Sequence, residues 1–322
     1  FGKGLGTTIF YVISDFRKTA LTNLALAFPE KSFTERYQIA LKSVQQVIIT
    51  FIELATVDKF AKHIDEIITI ASSEDAPEGF FPEEVSSQQE LNNFFSRLDQ
   101  QEGAILFCGH QANWELPFLY ITKRYPGLAF AKPVKNPRLN RKIISLRESF
   151  QGKIVPPQNA INQALRALHK GEVVGIVGDQ VLLSSQYSYP LFGSQAFTTT
   201  SPALLAYKTR KPVIAVAIYR QPNGNYLVVP SKAFYANTEL SIRESTEQLM
   251  DKLMRFLEKG IACKPEQWLW LHKRWKRKLR HKFKRCYAFS HILLIVKGAS
   301  LKTSQTFLTE FAEFYADASL SL

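Results

Sequence analysis

Two short apolar runs, each ending at a glycine followed by polar residues, place the strongest constraint on the fold of this chain. The first run covers residues 104–108 and opens into the segment Gly109-His110-Gln111-Ala112-Asn113-Trp114-Glu115. The second covers residues 173–177 and opens into Gly178-Asp179-Gln180. Apolar runs of this length predict buried strands, and loops at the carboxyl ends of parallel strands are where α/β proteins place their chemistry.

Helical patterns separate the predicted strands. Apolar spacing and capping residues predict helices at 88–98, 136–150, 159–169 and 241–259, and further strands at 67–71, 128–131, 211–219 and 226–229. Strands that alternate with helices indicate an α/β fold with a mainly parallel sheet flanked by helices. Such a sheet would bring Asp179 to the same edge as His110.

Two helices are predicted before the first strand, one at 17–28 and one that begins after a capping box of Ser32 and Glu35. We expect them to form an amino-terminal helical hairpin, lying either on lipid or on the protein's own core. The expected division is a membrane-proximal helical segment at 1–63, an α/β domain at 64–280 and a basic, amphipathic carboxyl-terminal extension at 281–322.

The loop after the first strand carries the strongest candidates for catalysis. With Asn113 as the helix cap, Glu115 falls in the first helical turn, where a loop could fold the His110 imidazole back towards it. A histidine beside a carboxylate is a general base, but no serine or cysteine lies between them, so the nucleophile would be the substrate's own hydroxyl. The spacing does not fit a zinc-binding helix. The alternative is a loop histidine near a surface glutamate.

The composition of the chain limits the kinds of partner that it can bind. The chain has 41 Lys and Arg against 28 Asp and Glu, a net charge of +13, which points to an anionic partner. Its three cysteines form neither a disulfide framework nor a metal pattern, and no apolar run reaches the ~20 residues needed to span a bilayer.

Several separated segments resemble the lipid A biosynthesis acyltransferases, within the wider lysophospholipid acyltransferase superfamily. They follow the family's order over roughly residues 17 to 277, and the family's His-x4-Asp/Glu motif falls on His110 and Glu115. The segments are Asn23-Leu24, Phe28-Pro29-Glu30, Glu35-Arg36, Gly109-His110, Asn113-Trp114-Glu115, Asn136-Pro137, Arg147, Gly178-Asp179-Gln180, Leu191-Phe192-Gly193, Ala196, Thr198-Thr199-Thr200 and Trp270-Leu271-His272-Lys273-Arg274-Trp275-Lys276.

The resemblance implies transfer of a fatty acyl chain from an acyl carrier protein thioester to a hydroxyl of a phosphorylated lipid A precursor. His110 would be the general base, and Glu115 would orient it. No cofactor or metal is expected, and the location implied is the cytoplasmic face of the bacterial inner membrane. An acyl-CoA donor, or another glycolipid or a lysophospholipid as acceptor, remains open.

Further residues are candidates for substrate contact. Arg147 could hold a phosphate, because arginine binds phosphate through two donors. Asp179 could position His110, an arginine or the acceptor sugar, or could cap its own turn. The full set of expected substrate-binding residues is Asn113, Lys132, Arg147, Asp179, Gln180, Thr198, Thr199 and Arg274.

A basic run from Lys273 to Arg285 carries Trp275, and Trp268 and Trp270 lie just before it. Tryptophans beside cations are typical of an anionic membrane surface, although basic and aromatic residues also suit nucleic acid. A nucleic-acid-binding protein is the weaker hypothesis, because no RRM, KH, helix-turn-helix or zinc-finger pattern occurs. A non-catalytic membrane-bound scaffold with the same fold is a third.

Overall fold

The fold is seen in a computed structural model that describes residues 1–56, 63–158, 160–182, 185, 187–275, 291–293 and 319–321. Its helices are α1 Gly2–Val12, α2 Ser14–Ala27, α3 Phe33–Ala55, α4 Ile64–Ile67, α5 Gln88–Asp99, α6 Leu116–Thr122, α7 Pro137–Arg147, α8 Ala160–His169, α9 Ser201–Thr209 and α10 Ile242–Cys263. Short 3-10 turns occupy Ser73–Asp75, Pro82–Glu84 and Pro265–Gln267.

The strands form one large sheet and two small ones. They are β1 Ile68–Ile70, β2 Ala104–Cys108, β3 Gly127–Phe130, β4 Gly152–Val155, β5 Val173–Val177, β6 Ser188–Leu191, β7 Ser194–Phe197, β8 Val213–Arg220, β9 Tyr226–Pro230, β10 His291–Leu293 and β11 Ser319–Ser321. Seven of them pair in the order β1-β9-β8-β2-β5-β3-β4. All neighbours in this sheet are parallel except β8 and β9, so the predicted α/β class with a mainly parallel sheet is confirmed.

The sequence patterns missed five strands, namely β4, β6, β7 and the short strands β10 and β11 in the tail, where an amphipathic extension was expected. β4 is a short strand at the edge of the sheet, and its residue Lys153 is exposed, which weakens the apolar signal. β6 and β7 form a separate antiparallel hairpin. Pro190 lies inside β6, and a proline within a run argues against a strand because it cannot donate a ladder hydrogen bond.

Both faces of the sheet are covered. The side chains of β2 alternate between two hydrophobic clusters, with Ile105 and Phe107 in one and Leu106 and Cys108 in the other. This explains why β2 is a continuous apolar run, since a parallel strand is buried on both faces.

The amino-terminal helices pack on the protein. Phe10 of α1, Leu24 of α2 and Val44 of α3 are fully buried and belong to the cluster that contains Phe107. These buried faces favour the second alternative, packing on the core. α1 was not predicted, and it adds a third helix to the expected hairpin.

Two capping boxes agree with the sequence prediction. The Ser32 side chain caps α3 with Glu35, and the Ser241 side chain caps α10 with Glu244. The expected cap at Asn113 is absent, because α6 begins only at Leu116 and no side chain caps it among the described residues.

Across the part of the chain that the structure describes, every helix is too short or too polar to cross a membrane. The basic run predicted from Lys273 to Arg285 lies largely outside the described residues, which end at 275 and resume only at 291.

Candidate active site

The loops after β2 and β5 leave the sheet side by side. The two strands are parallel neighbours, with Cys108 paired to Val177, and the Gly178 N–H donates a 3.0 Å hydrogen bond to the Cys108 carbonyl. Gly109 is required at this edge, because a Cβ atom there would lie 2.9 Å from Oδ2 of Asp179. The prediction that these two loops lie close together is therefore confirmed.

His110 and Asp179 form a direct pair. Nδ1 of His110 lies 2.5 Å from Oδ1 of Asp179, and the His110 backbone N–H donates to Oδ2 over 2.7 Å. Because an ionised carboxylate only accepts, the ring proton is on Nδ1, and Nε2 carries the lone pair. The Gln180 amide lies 3.2 Å from Nε2, where it can donate to that lone pair.

Asp179 is ionised in this setting. Burial by itself raises its pKa, but the His110 ring, the His110 backbone N–H and the Trp268 indole oppose this and lower the pKa of Asp179 to about 2. The indole Nε1 donates to Oδ2 over 2.7 Å, so three donors hold a carboxylate that is only 2% exposed. The fixed negative charge of Asp179 therefore lies directly beside Nδ1 of His110.

The imidazole remains partly accessible. The His110 side chain is 16% exposed, and its ring lies 4.8 Å from the Trp114 ring, centroid to centroid. The lone pair on Nε2, which faces the Gln180 amide, and the anionic partner on Nδ1 give the arrangement of a general base.

Glu115 does not contact His110, which corrects the expected pair. Its carboxylate accepts two hydrogen bonds from Arg147, one from Nε over 2.9 Å and one from Nη2 over 2.5 Å. This is a forked ion pair between the residue just before α6 and the last turn of α7. The imidazole pairs with Asp179 instead. Asp179 follows β5, the parallel neighbour of β2, so the sheet places its carboxylate beside His110.

Asn113 faces α3. Its Nδ2 donates a 3.1 Å hydrogen bond to Oε2 of Glu53, which fixes the orientation of the amide because the carboxylate accepts only. Its Oδ1 is buried and lacks a hydrogen-bond partner among the described residues. A buried acceptor without a donor is uncommon in folded proteins.

Arg274 is wholly buried, which differs from the expected contact with substrate. Its guanidinium donates to the Phe197 carbonyl over 2.7 Å and to the Thr198 hydroxyl over 2.5 Å, and burial lowers the pKa of Arg274 to about 10. The Thr198 hydroxyl itself donates to the Ala196 carbonyl. Arg274 therefore links the carboxyl-terminal segment to the end of β7.

Two remaining candidates differ in their surroundings. The Thr199 hydroxyl is paired with that of Ser201 at 2.7 Å and accepts from the Ser201 N–H, at the start of α9. Lys132 is exposed, in the basic segment between β3 and α7. The structure brings Gln180 and Asp179 to His110, but it does not bring Thr198 or Arg274 into contact with the imidazole.

The tryptophans near residue 270 have a structural role that was not visible in the sequence. Trp268, Trp270 and Trp275 are buried, at 2%, 0% and 7% exposure, and belong to the main core cluster. This corrects the expectation that they lie at a membrane surface. Their close spacing was visible in the sequence, but the contact of Trp268 with Asp179 depends on the folded chain.

His272 was also missed as a structural residue beside the site. Its Nε2 accepts a 3.0 Å hydrogen bond from the Val181 N–H, just after Gln180. Burial lowers the pKa of His272, although nearby Asp179 acts in the opposite direction.

Cys108, the last residue of β2, lies just before Gly109. Burial raises the pKa of the Cys108 thiol, with Asp179 and Glu115 acting in the same direction, so this cysteine is a poor nucleophile. The described residues contain no cluster of His, Cys, Asp and Glu side chains that could hold a metal ion.

An apolar cavity of about 50 Å³ lies on the face of the sheet that carries Leu106. It reaches from the strands to α5 and α6, and its lining includes Leu91, Phe94, Leu106, Pro117, Ile121 and Ile214. Two of its lining residues, Leu106 and Pro117, lie on either side of the His110 loop in sequence.

Two comparisons with known proteins agree with each other. The family described as bacterial lipid A biosynthesis acyltransferase matches residues 1–277. The lipid A biosynthesis lauroyltransferase of Escherichia coli (strain K12) is 25% identical over 284 residues, which cover 85% of this chain and 84% of the relative. The phosphatidylinositol mannoside acyltransferases of Mycolicibacterium smegmatis and Mycobacterium tuberculosis are each 22% identical, over 58% of this chain and over 61% and 58% of their own lengths.

Proposed function

Because this chain belongs to the bacterial lipid A biosynthesis acyltransferase family, we propose that it transfers a fatty acyl chain from an acyl carrier protein thioester to a hydroxyl of a phosphorylated lipid A precursor. The family makes it an O-acyltransferase. The lauroyltransferase relative supports lipid A as the acceptor class, and the mannoside acyltransferases support acylation of a glycolipid more broadly.

The contact between His110 and Asp179 carries this proposal. Nε2 of His110 removes the proton of the acceptor hydroxyl, and the oxygen attacks the thioester carbonyl carbon. The tetrahedral intermediate then collapses, the carbon–sulfur bond breaks, and the leaving thiolate takes the proton back from the imidazolium. Asp179 keeps the proton on Nδ1 and stabilises the transient positive charge. General-base catalysis of this kind contributes ~10²–10⁴-fold to the rate.

The forked ion pair has a supporting role. Arg147 uses Nε and Nη2 on Glu115, and its Nη1 has no hydrogen bond within the described part of the chain. That donor would face either the oxyanion of the intermediate or a phosphate of a substrate. Glu115 fixes the plane of the guanidinium for this purpose.

Other polar groups would bind substrate around this centre. Oδ1 of Asn113 would accept a hydrogen bond from a substrate N–H or hydroxyl, and the Gln180 amide would move from the imidazole to the acceptor. Lys132 would approach a phosphate. Thr199 would contact the substrate from the start of α9.

The apolar cavity would hold the end of the acyl chain. Its lining is almost entirely hydrocarbon, and transfer of each methylene from water into such a space is worth ~0.8 kcal/mol. Leu91 and Phe94 of α5 line the cavity, and these residues would set the chain length that the enzyme prefers.

The enzyme would act at an anionic membrane surface, on the cytoplasmic face of the bacterial inner membrane. Several large apolar side chains of the amino-terminal helices face solvent, including Leu5, Tyr11, Val12 and Phe16 at 40%, 55%, 75% and 38% exposure. Lys3, Arg17 and Lys18 accompany them. Apolar side chains beside cations are typical of helices that lie in a membrane interface.

The test is a set of four reactions with the purified full chain. Lauroyl-acyl carrier protein and lauroyl-CoA are each combined with a tetra-acylated lipid A precursor and with a phosphatidylinositol mannoside, and products are identified by mass spectrometry. Acylation of the lipid A precursor from the carrier protein is expected to be fastest. Faster acylation of the mannoside would favour the second candidate, and failure of all four reactions would contradict the acyltransferase proposal.

A further inference from the structure

A buried ion pair that takes no part in the proposed chemistry joins α3 to the end of β8. The Arg220 guanidinium donates to the Glu53 carboxylate through Nη2 and, over 3.2 Å, through Nε. Only 13% of the Glu53 side chain and 9% of the Arg220 side chain are exposed. Desolvating two charges is costly, so a pair at this depth is weak support for a role in stability alone.

Glu53 also contacts the loop that carries His110. Its Oε2 accepts a 3.1 Å hydrogen bond from Nδ2 of Asn113 and a 2.6 Å hydrogen bond from the Tyr226 hydroxyl. The Arg220 guanidinium lies 5.2 Å from the centre of the Tyr226 ring. The carboxylate is thus fixed on several sides and can in turn fix Asn113.

Thr50, one turn before Glu53 on α3, holds the adjacent loop residue. Its fully buried hydroxyl donates a 2.8 Å hydrogen bond to the carbonyl of Ala112. The Ala112 N–H donates over 2.8 Å to the carbonyl of Gln267, and the Gln267 side chain bonds both backbone groups of Arg220. Ala112 is therefore held through both of its peptide groups.

Ala112 needs this support because its φ angle is +46°, in the left-handed region that residues with a Cβ rarely adopt. Backbone of this kind persists only where surrounding contacts fix it, and it occurs often at functional sites. The bend lies between His110 and Glu115. It turns the chain so that one side chain reaches Asp179 and the other reaches Arg147.

We infer that Thr50 and Glu53 are positioning residues, which hold the bend at Ala112 and so set the place of the His110 imidazole relative to the acceptor hydroxyl. This inference rests on the proposed general-base role of His110. Neither residue touches the reacting groups, since both act through the loop. Loss of the Thr50 hydroxyl leaves the buried Ala112 carbonyl without its donor. This should lower kcat and leave KM unchanged.

Three variants of the full chain test this. Thr50→Val keeps the shape of the side chain and removes the hydroxyl, and Thr50→Ser restores the hydroxyl. Thr209→Val is the matched control, because its hydroxyl donates over 2.8 Å to the Leu205 carbonyl within α9. We expect Thr50→Val to lower kcat about tenfold with KM within about twofold, as one buried hydrogen bond would do. Thr50→Ser and Thr209→Val should stay within about twofold of the wild type in both constants.

A second measurement does not depend on turnover. The proton between His110 and Asp179 should give a far-downfield proton NMR signal, assigned by its loss in His110→Ala. The signal should shift or broaden in Thr50→Val and stay in place in Thr50→Ser and Thr209→Val. Glu53→Gln, which keeps the volume of the side chain, should shift it in the same way if Thr50→Val does not fold.

The outcomes separate the two hypotheses. Suppose that the wild-type protein transfers no acyl group but the NMR signal still responds to Thr50→Val. That result would support the positioning role and contradict the general-base proposal. Wild-type kcat together with an unchanged signal in Thr50→Val would overturn the positioning role. Equal losses in Thr50→Val and Thr50→Ser would also overturn it, because the hydroxyl would then not be the active group.

Discussion

Nδ1 of His110 lies 2.5 Å from Oδ1 of Asp179, although 69 positions separate the two residues in the sequence. The parallel pairing of β2 with β5 brings them together, because both residues follow the carboxyl ends of these strands. The relationship turns a loop histidine into a candidate base with a fixed tautomer and an ionised partner.

The Asp179 carboxylate should be essential for turnover. In Asp179→Asn the amide still fits the site, but it no longer fixes the proton on Nδ1 or offsets the charge of the imidazolium. We expect kcat to fall by ~10²–10⁴-fold, measured by steady-state acyl transfer, with the fold retained by circular dichroism. Asp75→Asn, at an exposed aspartate, is the control and should leave kcat unchanged. A kcat within about threefold of the wild type in Asp179→Asn would remove Asp179 from the mechanism.

Glu115 and Arg147 should depend on each other energetically. Either Glu115→Gln or Arg147→Met leaves a mostly buried partner without its charge, so each should reduce the free energy of unfolding by roughly 1–3 kcal/mol. The double variant should lose less than the two single losses combined, because the second substitution removes the partner that the first left unpaired. Urea unfolding of the four proteins measures this, and strictly additive losses would show that the ion pair contributes nothing.

His272 should make the folded protein sensitive to mild acid. Burial lowers the pKa of His272 in the folded state, whereas the unfolded chain has the ordinary value of ~6.5. The unfolded state therefore binds the proton more strongly, so this stabilisation is complete above about pH 6.5 and is lost as the pH falls through the folded pKa.

His272→Gln tests this sensitivity, because an amide oxygen can still accept from the Val181 N–H but does not titrate. The free energy of unfolding, measured by urea denaturation from pH 7.5 to pH 5, should fall less steeply for the variant than for the wild type. Parallel pH curves for the two proteins would assign the acid sensitivity to other groups.

The apolar cavity should control the length of the acyl chain. Phe94→Ala enlarges the cavity and should shift product formation towards longer chains, whereas Ile214→Phe fills it and should shift product formation towards shorter ones. A mixture of thioesters with 10 to 16 carbon atoms, analysed by mass spectrometry, measures the preference. If both variants keep the wild-type distribution, the acyl chain lies elsewhere.

The exposed apolar side chains of the first two helices should bind membranes. The double variant Val12→Asp with Phe16→Asp removes two of them and adds negative charge, so its binding to phosphatidylglycerol vesicles should weaken more than tenfold. Ile242→Asp, on an exposed residue at the start of α10, is the control. Sedimentation with vesicles measures the binding, and equal affinity of the double variant and the wild type would place the membrane surface on another face.

Local patterns in the sequence predicted most of the secondary structure. The apolar runs at 104–108 and 173–177 became β2 and β5 with the same bounds, because a buried parallel strand must be apolar on both faces. The boxes at Ser32 and Ser241 marked helix starts for a similarly local reason, since the capping groups lie within four residues of each other. The sequence also indicated that the chemistry would lie at His110.

Only the tertiary structure decided which partners these residues take. Spacing along the chain suggested Glu115 for His110, but the order of the strands placed Asp179 against the imidazole and left Glu115 to Arg147. The burial of Trp268 beside Asp179 was equally hidden, because tryptophans next to cations look alike whether they face lipid or core. Hydrogen bonds between distant segments depend on strand order and side-chain direction, and neither is encoded in the spacing of residues along the chain.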